Sequence, residues 1–193
     1  MNWLPYLLPP AKVLWVLTPT FIANAAATFP RGWGPPMDFG RTWPRDGRRL
    51  LGSSKTWSGF FCGTLFAMPF GILMSWLILI APPSLQLVPS FGPSVVAALP
   101  VVVLLCAGAL VGDALGSFVK RRLGRESGAR TVLLDQLPFV LVPVVVGLVL
   151  FPATFVPAFW NWEGVIWLLI FTLGFHAAFN WIGHVVGLKK VPW

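Results

Sequence analysis

Long apolar runs alternate with shorter polar segments along the whole chain. The runs cover about residues 6–28, 58–81, 93–113, 137–159 and 163–186. Each is close to the roughly 20 residues that an α-helix needs to cross the hydrocarbon core of a bilayer. No linker or internal repeat divides the chain. The pattern therefore predicts a single domain over residues 1–193, an all-α integral membrane protein with five transmembrane helices.

Composition and charge add an orientation to this bundle. Hydrophobic residues make up 56% of the chain and charged residues 10%, which excludes an ordinary water-soluble domain. Most of the 14 Lys and Arg fall after the fifth run or in two loops, about residues 29–57 and 117–136. Basic loops lie on the cytoplasmic side of membrane proteins. We therefore expect a multi-pass protein of the cell membrane, with its N-terminus outside and with its C-terminus and both basic loops in the cytoplasm.

The acidic residues are not explained by this topology. Asp113 ends the third apolar run, at a depth where an ionisable group is costly and usually faces a partner. If the third helix continues into the loop, Ser117, Lys120 and Arg121 lie on the same face as Asp113. Asp135 begins the fourth run, shortly before a proline that suits a first helical turn. Because the loop between them is short, the two aspartates could share a site; a cluster that only stabilises a helix end is the alternative.

Two aspartates beside many cations suit magnesium and polyphosphate better than they suit hydrolysis. Carboxylate oxygens bind Mg²⁺ together with substrate phosphates, and Lys and Arg bind the remaining phosphate oxygens. The sequence thus predicts Mg²⁺ as cofactor, held by Asp113 and Asp135. The first basic loop adds further charged residues, and Ser53 or Ser54 is expected to cap the second helix. The second and fourth helices would each turn an N-terminus, which attracts phosphate, towards this site.

Small and polar residues recur inside the apolar runs. Glycines repeat at four-residue spacing, which lets helices approach closely, at Gly59/Gly63, Gly108/Gly112/Gly116 and Gly183/Gly187. Packing within the chain is the default explanation, and a homodimer is the alternative. Polar side chains form a stripe towards the cytoplasmic side at Asn24, His176, Asn180 and His184. We expect these residues to form hydrogen bonds between helices rather than a metal site.

A family resemblance appears in the motifs themselves. "GDALGSFVKRR" (112–122) followed by "LLDQLPF" (133–139) is similar to the signature of membrane CTP:phospholipid-phosphate cytidylyltransferases. Bacterial and eukaryotic CDP-diacylglycerol synthases have Lys-Asp and His-Gly-Gly elements in the gap, where this chain has Glu126-Ser127-Gly128. The chain instead resembles the archaeal CDP-archaeol synthases, whose motifs occur here in order: Asn24, "PMDFG" (36–40), "DGRRLLG" (46–52), "KTWSG" (55–59), the two segments above and Asn180.

The resemblance implies five membrane helices and a magnesium-dependent transfer of CMP from CTP to digeranylgeranylglycerol phosphate, an unsaturated isoprenoid ether lipid. The products are CDP-archaeol and pyrophosphate. Its expected partners are CTP, the lipid phosphate and the bilayer, without nucleic acid. The residues assigned to catalysis are Asp113, Asp135, Lys120 and Arg121. The residues assigned to substrate binding are Lys55, Ser117, Lys120, Arg121, Arg122, Asp38, Arg48, Arg49 and Asn24, although Arg48, Arg49 and Arg122 suit a lipid-surface role equally well.

Two other functions remain as alternatives. A CDP-alcohol phosphotransferase also binds a cytidine diphosphate lipid, but its motif needs Ala-Arg where Leu50-Leu51 follows Asp46-Gly47. An anion or nucleotide transporter would need a polar path through the whole membrane and some internal repeat. Only the cytoplasmic halves of these apolar runs carry such polar residues.

Overall fold

The computed structural model describes residues 4–30, 33–125 and 131–185, without the side chains of residues 5, 132, 176, 179, 180 and 183. Within these residues the protein is all-α, as predicted. The helices are α1 (Leu4–Ala26), α2 (Trp57–Ile80), α3 (Val95–Arg122), α4 (Val132–Gln136), α5 (Pro138–Leu150), α6 (Pro152–Phe159) and α7 (Trp162–Val185), with a 3-10 turn at Pro83–Leu85.

Three of these helices, α1, α2 and α3, are long and apolar enough to cross a membrane. A fourth crossing results if α6 and α7, which are bent by 86° relative to each other, count as one broken span. α5 is a shorter apolar helix. An integral membrane protein is thus confirmed by length and composition within the described ranges.

The fourth predicted run, residues 137–159, is not a continuous helix. α5 ends at Leu150, and α6 begins at Pro152. A proline nitrogen carries no hydrogen to donate, and its ring disfavours helical geometry in the residue before it. α6 then packs back onto α5, since a Cβ on Gly147 would collide with the ring of Phe155. The prediction of one helix over this run is therefore wrong.

The boundaries of the second basic loop also differ from the sequence prediction. α3 does not end near residue 113 but continues to Arg122, so its last turns are charged. Asp135 does not begin the fourth long helix; it lies in the separate short helix α4. Pro138 occupies the first turn of α5, as expected. The charged residues at the end of α3 and Asp135 of α4 therefore lie on helices, which fix the directions of their side chains.

The cap of α2 is likewise corrected. Thr56, not Ser53 or Ser54, is the N-cap, and its side-chain oxygen accepts a hydrogen bond from the Gly59 N–H at 3.1 Å. α2 begins at Trp57, and a capping side chain must stand directly before the first helical residue. Both serines lie earlier in the loop and are exposed.

Close helix contacts at glycine hold α3 in the centre of the bundle. A Cβ on Gly63 of α2 would lie 2.5 Å from the Ala23 carbonyl oxygen of α1. A Cβ on Gly112 of α3 would overlap the Pro138 carbonyl, and one on Gly116 would lie 2.6 Å from the Leu134 carbonyl oxygen. Packing within the chain is therefore confirmed for these glycines. The Gly183/Gly187 pair lies outside the described residues and side chains.

The Gly112 contact can be tested by adding one methyl group. Gly112→Ala should lower the thermal unfolding midpoint in detergent by several degrees, because the backbones of α3 and α5 must separate. Gly174→Ala is the matched control, since nothing lies within 4 Å of its added Cβ and alanine favours a helix more than glycine does. Equal midpoints for the two variants would show that this contact does not limit stability.

Candidate functional site: ion pairs and an arginine pocket at one end of the bundle

Residues 33–56 fold into an irregular hairpin beside the charged end of α3. The Met37 N–H donates to the Lys55 carbonyl at 2.8 Å, and the Leu50 N–H donates to the Arg41 carbonyl at 3.0 Å. The turn between the two arms includes Gly47, whose positive φ of 66° suits glycine. We call this segment the first loop, and the end of the bundle where it meets α3 the basic end.

Asp38 holds the first loop together from inside. One carboxylate oxygen accepts hydrogen bonds from the Arg49 guanidinium at 2.6 Å and the Gly40 N–H at 3.0 Å. The other accepts from the Leu51 N–H at 3.0 Å and the Gly52 N–H at 3.2 Å. The side chain has no exposed surface. Asp38 therefore organises the first loop through its own hydrogen bonds, and its contact with substrate stays a prediction.

These hydrogen bonds also set the protonation of Asp38. Burial by itself would raise the pKa of the carboxyl group. The hydrogen bonds from Arg49 and from the three backbone N–H groups outweigh burial and lower the pKa from 3.8 to about 2. Asp38 is thus a permanently charged anchor for the first loop at neutral pH.

Arg122 joins the first loop to the last turn of α3. Its guanidinium forms an ion pair with Asp46 at 2.9 Å and donates to the Arg49 carbonyl at 2.7 Å. It also lies over the rings of Trp43 and Phe118, 5.5 and 5.2 Å from their centroids. A guanidinium desolvated between two aromatic rings gains a cation–π interaction. Arg122 is thus engaged with the protein, although the sequence suggested a substrate contact.

Two lysine–aspartate ion pairs lie along α3. Lys55 of the first loop pairs with Asp113, and Lys120 pairs with Asp135 of α4. Asp113 and Lys120 are seven residues apart, so they share one helix face and are separated by about 10 Å along the axis. The two carboxylates keep 25% and 29% of their side-chain surface exposed, which leaves oxygen atoms available. The predicted residues thus reach the same end of the bundle, each aspartate beside its own lysine.

The two aspartates differ in how firmly they are held. Asp135 also accepts a hydrogen bond from the Thr131 N–H at 2.9 Å, so both of its oxygens have partners. Asp113 has Lys55 as its only hydrogen-bond or ion-pair partner in the described part of the chain. Among the described residues, no group of three or more His, Cys, Asp or Glu forms a ready metal site. Further ligands of any bound ion would have to come from water or substrate.

A basic cavity lies between the first loop and the end of α3. Its volume is about 470 Å³, and it is lined by Arg48, Arg49, Gly52, Ser53, Arg121, Gly124 and Arg125. We call it the arginine pocket. Arg121 is held at its rim by the Leu51 carbonyl at 3.3 Å and the Arg125 carbonyl at 2.6 Å. The pocket thus brings together predicted residues from both basic loops.

Two other predicted residues near this end have side chains without a hydrogen-bond partner among the described residues. Ser117 is half-buried on α3, one turn beyond Asp113, and Asn24 is half-buried on α1. Asn24 follows Phe21 by three residues and so shares a helix face with it. Phe21 contacts Phe139 and Phe175, which places Asn24 on the side of α1 that faces α5 and α7. The side chains of His176 and Asn180, and the whole of Glu126, lie outside the described residues.

Sequence reasoning missed several parts of this site. Arg125, the ring pair of Trp43 and Phe118, and the glycines that shape the pocket were not assigned a role. Gly52 and Gly124 have φ of 118° and 77°, values that non-glycine residues rarely adopt. A glycine next to arginine in a polar loop was the available signal, but it does not identify which arginine lies against it.

The Asp38 anchor predicts a pH-dependent stability. Asp38→Asn should lower the free energy of unfolding in detergent by about 2 kcal/mol at pH 7, since the folded state favours the charged form. Because the folded pKa is depressed, this contribution is complete above about pH 4 and is lost as the pH falls to about 2. The gap between parent and variant should therefore close over that range.

Asp46→Asn is the control for this comparison. Its carboxylate lies in the same loop with 30% of its side chain exposed, and ion pairs near the surface contribute about 1 kcal/mol or less. If the two variants were equally destabilised and the gap for Asp38→Asn did not change with pH, the anchoring role of Asp38 would be refuted.

Comparison with known proteins agrees with this geometry. The family model described as CarS-like CDP-archaeol synthase matches residues 6–193. The chain is 36% identical over 182 residues to the CDP-archaeol synthase of Pyrococcus horikoshii, covering 94% of this chain and 96% of that protein. It is 39% identical over 180 residues to the CDP-archaeol synthase of Methanosarcina barkeri, covering 92% of this chain and 100% of that protein.

A solved structure shows the same fold. It is described as "Structural insight into an intramembrane enzyme for archaeal membrane lipids biosynthesis", and it superposes with a TM-score of 0.63 at 33% sequence identity. The superposition covers 88% of this chain and 93% of that chain. The chain therefore belongs to the CDP-archaeol synthase family, whose members are CTP-dependent cytidylyltransferases of archaeal membrane-lipid synthesis.

Proposed function

We propose that this protein catalyses the magnesium-dependent transfer of CMP from CTP to digeranylgeranylglycerol phosphate, which yields CDP-archaeol and pyrophosphate. The observation that carries the proposal is that two lysine–aspartate ion pairs and the arginine pocket lie at the same end of an apolar bundle. Such a position lets a charged nucleotide from water and a phosphate on a membrane lipid meet at the bilayer surface. Family membership supports the reaction class.

Asp113 and Asp135 are the residues we assign to the metal ion. Their donor chemistry fits Mg²⁺, which binds carboxylate oxygens and usually takes only one or two of them together with substrate phosphates. Bound there with the nucleotide, the ion would supply positive charge to the phosphoryl oxygens. Lys55 and Lys120 hold the carboxylates in place before substrate binds. Because each ammonium group lies beside a metal-binding carboxylate, it would also lie near the bound phosphates and neutralise part of their charge.

The reaction needs positioning and electrostatics rather than a general base. An ionised oxygen of the lipid phosphate forms a bond to the α-phosphorus of CTP. The bond from that phosphorus to the bridging oxygen of the β-phosphate breaks, and pyrophosphate leaves with the electron pair. The nucleophile is already charged near neutral pH, so no proton has to be removed. Holding the two phosphates in line accounts for most of the catalysis in such reactions.

The remaining predicted residues divide by their contacts. We assign Lys55, Lys120 and Arg121 to the phosphates of CTP. We assign Ser117 and Asn24 to hydrogen bonds with the substrates, because within the described residues neither side chain has a hydrogen-bond partner. Asp38 and Arg122 are positioning residues, since their bonds run to the first loop and not to open space. The lipid chains would remain in the bilayer beside the apolar helix faces.

For the topology, we propose five crossings with the basic end in the cytoplasm. α5 has 13 residues and spans about 20 Å, so it reaches across most of the core, and α6 continues the chain near the opposite face. The acidic residue Glu163 lies at the start of α7, at that opposite end. The excess of Lys and Arg in the first loop and at the end of α3 supports a cytoplasmic basic end.

Asp113→Asn tests the catalytic assignment. With labelled CTP, Mg²⁺ and digeranylgeranylglycerol phosphate in detergent, the parent should form a labelled lipid, and the variant should lose activity by about 100-fold or more because a charge that stabilises the transition state is gone. Glu163→Gln, which removes a carboxylate at the opposite end, should retain near-parental turnover. Near-normal turnover by a folded Asp113→Asn protein would remove Asp113 from the site.

The same assay tests substrate choice when a diacyl-ester glycerol phosphate replaces the ether lipid, or when dCTP replaces CTP. Labelled ether lipid without labelled ester lipid would support the isoprenoid assignment. Formation of no labelled lipid by the parent with either acceptor would overturn the proposed reaction.

Two serines test the topology. Ser54 lies in the first loop, Ser84 lies between α2 and α3, and both are exposed. In intact cells a membrane-impermeant maleimide should label Ser84→Cys, and Ser54→Cys should react only after lysis. The parent chain gives the background, because Cys62 and Cys106 lie inside helices. Labelling of both variants, or of Ser54→Cys alone, in intact cells would refute the orientation.

A further inference from the structure

Lys12 is a cation that lies far from the basic end. Every other described lysine or arginine belongs to the first loop, to the last turn of α3 or to the residues directly after α3, whereas Lys12 lies inside α1. An ionisable side chain within a membrane-spanning helix is costly and usually marks a functional contact. Neither the proposed reaction nor the excess of cations at the basic end accounts for this residue.

The length of α1 gives the depth of Lys12 in the bilayer. The apolar span of this helix, Tyr6–Ala26, has 21 residues and is about 31 Å long, close to the roughly 30 Å of a hydrocarbon core. Lys12 follows Tyr6 by six residues, so its Cα lies about 9 Å from the start of the span. Lys12 is therefore nearer to the end of the bundle opposite the basic end, which we call the opposite end.

The neighbouring helix α2 gives the same depth. It runs antiparallel to α1, since Gly63 near its start lies against the Ala23 carbonyl near the end of α1. Lys12 precedes Ala23 by eleven residues and is thus level with Met74, which follows Gly63 by eleven. Met74 lies six residues, or about 9 Å, before the end of α2 at Ile80. Two helices therefore place Lys12 at one level inside the apolar layer.

The first bond of the Lys12 side chain is directed towards the nearer surface. Cα–Cβ bonds in an α-helix tilt towards its N-terminus, and α1 begins at the opposite end. On the deeper side, Trp15 follows one turn later on the same face, and its ring packs at 6.3 Å on that of the buried Phe91. The four-carbon stem of Lys12 can carry its ammonium group about one helical turn, ~5 Å, towards the lipid headgroups.

No acceptor in the described part of the protein satisfies the Lys12 ammonium group. Lys12 takes part in no hydrogen bond and no ion pair with any described residue. Glu163 is the one described carboxylate away from the basic end, and it does not lie within salt-bridge distance of Lys12. Lys12 is also partly buried, so water cannot surround it on all sides. A counterion for this charge therefore has to come from outside the described protein.

We propose that Lys12 binds the phosphate group of a bilayer phospholipid in the leaflet at the opposite end. Lipid phosphates are the nearest anions to a cation just inside the hydrocarbon boundary, and an ammonium group forms a charge-assisted hydrogen bond with a phosphate oxygen. Exposed aromatic rings of Tyr6, Trp160 and Trp162 lie at the same end, as expected at headgroup level. This site is separate from the basic end and does not rest on the proposed function.

Binding of a phosphate-bearing lipid tests the site. Delipidated full-length protein in detergent is titrated with phosphatidylglycerol, and bound lipid is measured by native mass spectrometry. Lys12→Met should weaken binding of the tightest-bound lipid by about 10-fold, the loss of one charge-assisted hydrogen bond, and Lys12→Arg should retain it. Arg45→Gln is the matched control, since it removes an exposed cation at the basic end and should leave this affinity unchanged. Equal phosphatidylglycerol affinities of the parent and a folded Lys12→Met protein would overturn the proposal.

Thermal unfolding in detergent separates a lipid phosphate from other surroundings of the ammonium group, and Lys12→Gln serves here if Lys12→Met fails to fold. Phosphatidylglycerol should raise the unfolding midpoint of the parent more than that of Lys12→Gln. A diacylglycerol with the same chains but no phosphate should raise both midpoints alike. Equal protection of the parent by the two lipids would show that the ammonium group is solvated by water and would contradict the proposal. Equal protection by inorganic phosphate would assign the anion to the solution and contradict it as well.

Discussion

Charged groups at the edge of an apolar bundle have to be paired or exposed to water, and this constraint shapes the basic end of the protein. Burying an unpaired charge costs several kcal/mol or more, so Asp113 and Asp135 each lie beside a lysine. The two lysines come from different parts of the chain, the first loop and α3. Their ion pairs therefore join the first loop, α3 and α4 to one another.

The close packing of α3 against α5 fixes the distance between Lys120 and Asp135. Gly112 and Gly116 let the backbone of residues 134–138 approach α3, which brings Asp135 within reach of Lys120. Larger side chains would move α4 away from the helix that carries the other aspartate. The packing of apolar helices thus determines the geometry of the Lys120–Asp135 ion pair at the end of the bundle.

The cations at the basic end have two different tasks. Arg49 and Arg122 are bound to carboxylates and fasten the first loop, with Arg122 further enclosed by Trp43 and Phe118. Arg48, Arg121 and Arg125 lie against backbone carbonyls or solvent and line the pocket. The first group fastens the loop, and the second group has no carboxylate partner within the described part of the chain.

The amino-acid sequence by itself determined the all-α membrane class, the family and the approximate positions of the long helices, because the length and apolarity of a run follow from local composition. It also determined which motifs carry the candidate residues. It did not predict the break at Pro152, since a proline inside an apolar run is tolerated in some helices and ends others, as Pro69 within α2 shows.

Only the tertiary structure decided what each charged residue contacts. Asp38 and Asp113 look alike in the sequence, yet Asp38 is enclosed by Arg49 and backbone N–H groups, whereas Asp113 keeps an exposed edge. The same holds for Arg121 and Arg122, neighbours in the chain that point about 100° apart on a helix and so enter different clusters. Two of the four ion pairs join residues 58 and 76 apart in the chain, and the other two join residues 11 and 15 apart. Local sequence carries no information on which of several cations will reach a given carboxylate.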